Sequence, residues 1–242
     1  MPTPRRVLIE VAAESVEDAV AAEEGGADRI ELCAALDLGG LTPSLGLYQE
    51  VRAATRLPVF VMIRPRPGDF VYTPYELRTM ARDLDAFRLH QPDGFVFGAL
   101  VADGRIDVAS VGHLAARAGG LPCVFHRAFD RVTLAGEALD QLIAAGFARV
   151  LTSGREATAL AGAGEIAKLV KRAAGRIEVL PCGRVRAKDV SEVIRLTGCN
   201  QVHGSFARPL QLPDERGYRG YAERVGTSRD EVAATRSALD TL

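Results

Sequence analysis

The sequence predicts an α/β protein made of a single (β/α)8 barrel, a TIM-type barrel with parallel strands and a C-terminal helical extension. Three observations predict it: eight apolar runs of strand length, helical patterns between them, and a glycine shortly before several of the runs. The runs begin roughly 20 to 36 residues apart, which is the length of one strand and one crossover helix. The length of 242 residues is also usual for this fold.

The expected strands follow one another along the chain. They are VLIEV (7–11), RIELC (29–33), VFVMI (59–63), GFVFGAL (94–100), CVFHR (123–127), RVLTS (149–153), IEVLP (177–181) and QVHGS (201–205). Eight strands suffice to close a barrel whose interior is filled by side chains. A doubly wound open sheet is the alternative, although no GxGxxG turn follows the first strand.

Helix-start signals occupy the segments between strands. Ser15 and Asp18 have the spacing of a capping box, and Thr73 and Glu76 repeat it with Pro74 at the first helical position. Such signals mark the residue at which a helix begins. We therefore expect helices directly after the first strand and after the long loop that follows the third.

No linker or low-complexity stretch divides the chain, so residues 1–242 are expected to form one domain. The barrel is predicted over about 7–206, with a C-terminal loop and helix over 207–242. Ser228 opens a third capping box and a last helix where the eighth barrel helix is due. The polar segment 207–226 is long for a link, which indicates either a partner surface or mobility.

The composition argues against several function classes. Thirty basic and 31 acidic residues leave a formal net charge of −1, too weak a field to hold a nucleic acid. No apolar window reaches the length that spans a bilayer, so we expect a cytoplasmic protein without a membrane partner. The cysteines are far apart and are expected to be reduced thiols. They are Cys33, Cys123, Cys182 and Cys199.

Charged and imidazole side chains stand late in the expected strands. Glu10, Glu31, His126 and His203 alternate with their neighbours and therefore face the opposite side of the strand from them, while Arg64 closes the third strand. The C-terminal ends of the strands form the ligand-binding mouth in barrels of this kind. We therefore predict these five side chains as catalytic groups aimed into the mouth.

Asp130 completes the predicted catalytic set. It lies four residues after His126, where it could orient the imidazole or simply mark a helix entry. The alternative for the whole set is a structural one. The charged groups would form a buried cluster in which they pair with one another, and the histidines would be ordinary core residues. Burying a charge cluster is costly, and an apolar layer is often as stable, which favours a ligand.

The far edge of the mouth is predicted to bind a phosphate or carboxylate. Gly183 lets the backbone approach a ligand, and Arg184 can add a charge-assisted hydrogen bond. The predicted ligand-binding residues are Arg127, Ser153, Gly183, Arg184, Gly204 and Ser205. Near the other edge, the loop PRPGDFVYTP is expected to act as a flap, or to pack down through Phe70 and Tyr72.

Several long phrases resemble one family. GGADRIELCAALDLGGLTPSLG, PVFVMIRPRPGDFVY, DGFVFGAL, PCVFHRAFD, RVLTSG and QVHGS are similar, in register from about Ile9 to Ser205, to the CutC family of copper homeostasis proteins. The resemblance implies a TIM-type barrel, a cytoplasmic location, a homo-oligomer such as a dimer or tetramer, and Cu(I) as a bound metal ion.

The resemblance also implies a copper site made of two cysteines, of which this chain has one. Cys33 is present, but Ala12 occupies the position of its usual partner at the end of strand one. Losing one of two thiolates weakens a two-coordinate soft site unless Met62, a histidine or a second subunit substitutes. The usual P-G-G-G turn after strand seven reads P-C-G-R here, which brings Cys182 to the same end.

Two functions remain open from the sequence. The first is a copper-handling protein that binds Cu(I) through Cys33 and performs no chemistry. The second is a lyase, isomerase or hydrolase whose mouth holds a small anionic or phosphorylated metabolite, with arginines as clamps and Glu10, Glu31 or His126 moving a proton.

Overall fold

The computed structural model describes residues 6–209 and 225–242. In these residues eight parallel strands form one sheet in the order β7-β6-β5-β4-β3-β2-β1-β8, which confirms the predicted barrel and excludes the doubly wound alternative. The strands are β1 (Leu8–Ala13), β2 (Arg29–Leu32), β3 (Val59–Met62), β4 (Gly94–Phe97), β5 (Cys123–Phe125), β6 (Arg149–Thr152), β7 (Glu178–Pro181) and β8 (Gln201–Gly204). Each lies within or beside an apolar run predicted from the sequence.

The barrel closes where β7 lies beside β8. No backbone ladder joins these two strands in the described part of the chain, although they are in contact. Gln201 Nε2 donates a hydrogen bond to Glu178 Oε2 at 3.1 Å across this seam. A side-chain bond therefore links the strands where the main-chain pairing stops.

Helices cover the outside of the barrel. They are α1 (Val16–Glu24), α2 (Leu45–Ala54), α3 (Pro74–Arg88), α4 (Val108–Arg117), α5 (Ala135–Ala144), α6 (Ala163–Ala173), α7 (Ala187–Thr197) and α8 (Arg229–Asp240). The capping box of Thr73 and Glu76 is confirmed in both directions. Ser15 caps the N–H of Asp18, but Asp18 accepts from Glu14 and Thr227 instead of closing the box.

The last helix takes the predicted place. Helix α8 packs between α7 and α1, and its capping Ser228 accepts from the N–H of Glu231. The expectation of an irregular link is wrong at its two ends, because β9 (Ala207–Pro209) and β10 (Val225–Thr227) pair as an antiparallel ribbon. The partner surface or mobility predicted for this link concerns residues 210–224, which lie outside the described residues.

Because side chains alternate along each strand, they fill two separate regions: the layer between the sheet and the helices, and the interior of the barrel. Residues such as Ile9, Val11 and Ile30 point outward and form the large apolar core beneath the helices. The barrel interior holds smaller apolar clusters, one around Cys33, Phe60 and Met62 and another around Leu151, Leu180 and Cys182. Charged side chains fill the rest of the interior. All four cysteines are free and buried, and no helix among the described residues is long and apolar enough to cross a bilayer.

Candidate active site

Glu10 is the centre of a buried charge network in the barrel interior. Arg29 Nε donates to one of its oxygens, and His203 Nδ1 donates to the other at 2.9 Å. Arg29 also donates to Gln201 Oε1 at 2.9 Å. Although burial alone would raise the pKa of Glu10, the Arg29 guanidinium and the His203 hydrogen bond hold it well below its usual range. Glu10 is therefore a fixed carboxylate that orients His203.

Glu31 is the second carboxylate beside His203, and its environment has the opposite effect. Its Oε2 lies 3.6 Å from His203 Nε2, and its Oε1 has no hydrogen-bond partner among the described residues. Burial raises the pKa of Glu31 to about 7, with His203 opposing the shift. Burial alone would lower the pKa of His203, but Glu31 and Glu10 raise it above its usual value. Glu31 is therefore a carboxyl group that can exchange a proton near neutral pH.

A cavity of about 230 Å³ opens at the C-terminal end of the strands, where the mouth was predicted. Its lining residues are Ala12, Glu31, Leu36, Gly39, Met62, Phe70, His126, Arg127, Leu151, Cys182, Gly183, Arg184, His203, Gly204 and Ser205. Three of the five side chains expected in the mouth, Glu31, His126 and His203, line it. Glu10 lies deeper, behind His203, and Arg64 is held in the loops.

The prediction that Arg64 points into the mouth as an anion clamp is wrong. Its guanidinium is buried and donates to the carbonyl oxygens of Leu38, Gly40 and Gly68 at 2.9 to 3.1 Å. It also lies under the ring of Phe70, 4.9 Å from the ring centroid. Because loop carbonyls bind both terminal nitrogens of its guanidinium, Arg64 braces the loops after β2 and β3, while its Nε has no partner among the described residues.

His126 lines the cavity as a neutral imidazole. Its Nδ1 accepts from the N–H of Ala128 at 3.3 Å, which assigns the ring proton to Nε2. Nε2 has no partner among the described residues. Burial and the nearby Arg64 lower the pKa of His126 to about 3. The ring of Phe70 packs against the imidazole with a centroid distance of 4.9 Å and an interplanar angle of 57°, so the loop after β3 packs down over it.

The predicted contact between Asp130 and His126 is not formed. A short 3₁₀ helix (Arg127–Arg131) follows β5 and turns Asp130 toward the end of β6. There it accepts from Arg127 Nε at 2.9 Å and from the Oγ of Ser153 at 3.0 Å. Arg127 also donates to Ser153 Oγ at 3.1 Å. Asp130 therefore orients Arg127, and Ser153 supports this pair without lining the cavity.

The remaining predicted ligand residues meet at one edge of the cavity. Gly183, Arg184, Gly204 and Ser205 line it beside Arg127. They come from the turns after β7 and β8, which are neighbours across the seam. The structure therefore places these five residues in the lining of one cavity, and their role in ligand binding stays a prediction.

Three buried polar side chains inside the barrel were missed by sequence reasoning: Arg29, Arg149 and Gln201. Arg149 lies over the ring of Phe60 at 4.2 Å. The signal was present, because Arg29 and Gln201 stand two residues before Glu31 and His203 and so share their side of the strand.

Cys33, the predicted metal ligand, lies in an apolar part of the barrel interior. Its thiol is fully buried and donates to the carbonyl of Ala13 at 3.6 Å. Burial, with Glu31 adding to it, raises the pKa of Cys33 well above its usual value. Met62 is its neighbour: a side chain at Gly40 would meet Cys33 Sγ at 3.6 Å and the Met62 methyl at 3.5 Å. A soft site here would have one thiol and one thioether.

A second set of potential metal ligands inside the barrel offers oxygen and nitrogen atoms, which are harder donors than sulfur. Ligand atoms of Glu10, Glu31 and His203 lie within 4.8 Å of one another. Oxygen and imidazole donors of this kind are not those that select Cu(I). Arg29 already neutralises Glu10, so this trio is an ion-pair network with one spare carboxyl group.

Comparison with known proteins agrees with this architecture. The model of the CutC family matches residues 7–208. The chain belongs to the CutC family. It is 51% identical over 212 residues to a CutC family protein of Treponema denticola, covering 88% of this chain and 86% of the relative. It is 47% identical over 198 residues to the human copper homeostasis protein cutC homolog, covering 82% and 72%.

A solved structure shows the same CutC architecture. The crystal structure of CutC from Streptococcus agalactiae superposes with a TM-score of 0.78 at 35% identity, covering 82% of this chain and 98% of that one. The CutC family assignment therefore rests on both sequence and fold.

Proposed function

We propose that this CutC-family chain serves in copper homeostasis, as the names of its relatives indicate, and that its molecular activity is proton transfer on a small metabolite bound in the mouth cavity. The names supply the cellular process, and the geometry of the site supplies the chemistry. A cytoplasmic location and a homo-oligomer, which the family resemblance implies, belong to the same proposal.

The observation that carries the proposal is the state of Glu31. It lines the cavity, its Oε1 lacks a partner among the described residues, and its pKa is raised to about 7. Buried polar atoms without partners are rare in native proteins and call for a water, an ion or a ligand. A general base or acid works best when its pKa is near the working pH. Glu31 meets both conditions.

His126 supplies a complementary group in the same cavity. Its neutral imidazole presents an Nε2–H that has no acceptor among the described residues. A neutral imidazole donor next to a carboxylate base can polarise a carbonyl oxygen while the carboxylate removes a proton from the adjacent carbon. This pair favours isomerase or lyase chemistry on a carbonyl compound.

The side chains of Glu31 and His126 are covered by their surroundings although they line the cavity. Glu31 and His126 are each about 3% exposed. Phe70 lies on the imidazole and also lines the cavity. We infer that the loop carrying Phe70 is displaced when the ligand enters, so that it acts as a flap.

Solvent deuterium exchange tests the activity without knowledge of the product. The protein is incubated in D₂O with small ketoses, aldoses, 2-keto acids and their phosphate esters, and loss of carbon-bound protons is followed by NMR. We expect deuterium to enter one of these classes of compound. The rate of exchange should be about 100-fold lower or more in Glu31→Gln and His126→Ala. Glu165→Gln and His113→Ala are matched controls on α6 and α4. No exchange above buffer, or equal exchange in Glu31→Gln, rejects the proposal.

A second candidate function is direct handling of Cu(I) as cargo. The observation that favours it is the adjacency of Cys33 and Met62, since thiolate and thioether sulfur are the ligands that Cu(I) prefers. Anaerobic competition against a Cu(I) chelator tests it with Cys33→Ser and with Cys199→Ser as the control. Stoichiometric binding lost only in Cys33→Ser supports the candidate, whereas weak binding that is equal in both variants removes it.

A further inference from the structure

We propose that the metabolite bound in the cavity carries a phosphate group, held at the edge formed by Arg127, Gly183, Arg184 and Ser205. This set is called the phosphate edge. The proposal rests on the proposed function, because it names the substrate class of the same cavity. It places the phosphate in the same cavity as the proton-transfer groups Glu31 and His126.

The charge of the cavity favours an anion. The charged side chains among the described residues that line it are Glu31, Arg127 and Arg184, together with the imidazoles of His126 and His203. The imidazole of His203, 3.6 Å from Glu31 Oε2, offsets part of the charge of Glu31. The two guanidinium groups at the rim therefore attract a negatively charged ligand.

Arg127 is held in place before any ligand arrives. Its Nε donates to Asp130 and one terminal nitrogen donates to Ser153 Oγ. Asp130 is fixed in turn by Thr152 Oγ1 at 2.6 Å and by the N–H of Ser153 at 3.0 Å. Two nitrogen atoms of the guanidinium, Nε and Nη2, are thus held by hydrogen bonds, and Nη1 has no partner among the described residues. A pre-oriented guanidinium binds a phosphate with less loss of side-chain entropy.

The turn after β7 holds a backbone conformation that needs an explanation. Gly183 has φ +95°, and Arg184, a residue with a side chain, has φ +53°. The carbonyl of Gly183 accepts from the N–H of Ala159 at 2.9 Å, which fixes the turn. A Cβ at Gly183 would lie 3.1 Å from the Cβ of Ser153. Strained backbone at non-glycine residues concentrates at ligand sites.

The turns after β7 and β8 contain backbone donors without acceptors. The N–H groups of Gly183, Arg184 and Ser205 donate to no acceptor in the described part of the chain. Together with Arg127 and Arg184, they come from three separate turns, after β5, β7 and β8. Donors from three separate turns around one cavity suit a tetrahedral phosphate better than a planar carboxylate, which one fork of donors satisfies.

The volume limits the size of the metabolite. About 230 Å³ lies below the usual range for drug-sized ligands, about 300 to 1,000 Å³. A phosphate monoester of a short carbonyl compound matches both the volume and the distribution of charge.

Binding of inorganic phosphate tests the phosphate edge separately from catalysis. Affinity is measured by calorimetry at pH 8, with acetate at equal ionic strength as the competing anion class. We expect phosphate to bind measurably and acetate not to do so. Arg184→Met should weaken phosphate binding about tenfold or more, because a charge-assisted hydrogen bond is lost. Arg105→Met, which removes an exposed guanidinium from the loop before α4, should leave the affinity unchanged.

The variants Arg127→Met and Glu31→Gln separate loss of phosphate binding from loss of folding and from loss of proton transfer. Arg184 is exposed, so its substitution leaves folding intact, and a thermal melt of Arg127→Met without phosphate shows whether that variant folds. Glu31→Gln should retain phosphate affinity while losing deuterium exchange. Phosphate binding no better than acetate, or unchanged affinity in Arg184→Met, overturns the phosphate edge. Phosphate binding in a protein that exchanges no deuterium would reject the proposed activity and leave the edge standing.

Discussion

His203 lies between two buried carboxylates, with its Nδ1 2.9 Å from Glu10 and its Nε2 3.6 Å from Glu31. Glu10 and Glu31 share two cationic neighbours, His203 and Arg29, and the contacts of Glu10 are the closer ones. The pKa of Glu10 is therefore lowered and that of Glu31 is raised to about 7. Neighbouring carboxyl groups with opposite shifts are the usual arrangement for a base and its electrostatic support.

The first prediction concerns stability against pH. Because the folded pKa of Glu31 is above its unfolded value of 4.5, the folded state binds more protons between pH 4.5 and 7. The contribution of Glu31 to the free energy of unfolding therefore falls as pH rises through this window, by about 3 kcal/mol at most. The raised pKa of His203 acts in the same direction, since its stabilisation is lost as pH rises through the folded pKa. Glu31→Gln should remove the contribution of Glu31.

Urea unfolding at pH 5 and pH 7.5 measures this effect. His126 acts in the opposite direction, because its folded pKa of about 3 lies below its unfolded value of 6.5 and its contribution to stability rises with pH up to about 6.5. The contribution of Glu31 is therefore measured as the difference from the parent: between the two pH values, Glu31→Gln should lose clearly less stability than the parent, or gain more. Glu165→Gln removes a carboxylate that pairs with Lys168 on the surface of α6 and should follow the parent. If the Glu31 and Glu165 variants show the same pH dependence, Glu31 titrates in the folded protein as it does in water.

The second prediction compares a buried ion pair with an exposed one. Arg29→Met removes the cation that neutralises Glu10 while keeping most of the side-chain volume, and it leaves a buried carboxylate uncompensated. Such a change costs about 3 to 5 kcal/mol. Arg172→Met breaks the exposed pair with Asp140 and should cost about 1 kcal/mol or less. Denaturant titration at pH 7 measures both, and equal losses would show that the barrel network contributes no more than a surface pair.

The sequence predicted much of the barrel and part of its site because both depend on a two-residue period. Eight apolar runs gave eight strands, and alternation placed Glu31 and His203 inside. Arg29 and Gln201 follow the same period, but they begin their strands and so lie far from the strand ends where ligands usually bind. Arg64 lies beyond the end of β3, where side-chain direction follows the loop and its carbonyl acceptors instead of the strand.

Asp130 shows a different limit of sequence reasoning. A spacing of four residues from His126 places two side chains on one face of an α-helix. The chain here is a short 3₁₀ helix, and Asp130 faces Thr152 and Ser153 of the neighbouring strand end. Contacts between distant segments decided its direction, and no local pattern carries that information.

The third prediction concerns the flap over His126. Phe70 packs against the imidazole and shields it, and burial is the main cause of the low pKa of His126, about 3. Phe70→Ala should therefore raise the pKa of His126 toward its usual value of 6.5. Tyr72→Ala is the control, because Tyr72 stacks on Arg66 in the same loop. NMR titration of the ring C–H signals measures the shift, and an unchanged pKa in Phe70→Ala would show that the flap does not shield the site.

The fourth prediction uses Ala12 to test how the chain relates to copper. Ala12 is buried in β1, lines the cavity and pairs in register with Glu31, two residues before Cys33. Ala12→Cys adds a second thiol to the interior, and two thiolates suit the low coordination of Cu(I). Anaerobic chelator competition should show Cu(I) affinity increased about tenfold or more, equal to about 1.4 kcal/mol. Val11→Cys, on the same strand but in the core beneath the helices, should leave it unchanged. Equal affinities in the two variants would show that the position of Ala12 is no part of a copper site, and that the cavity serves its small-molecule ligand alone.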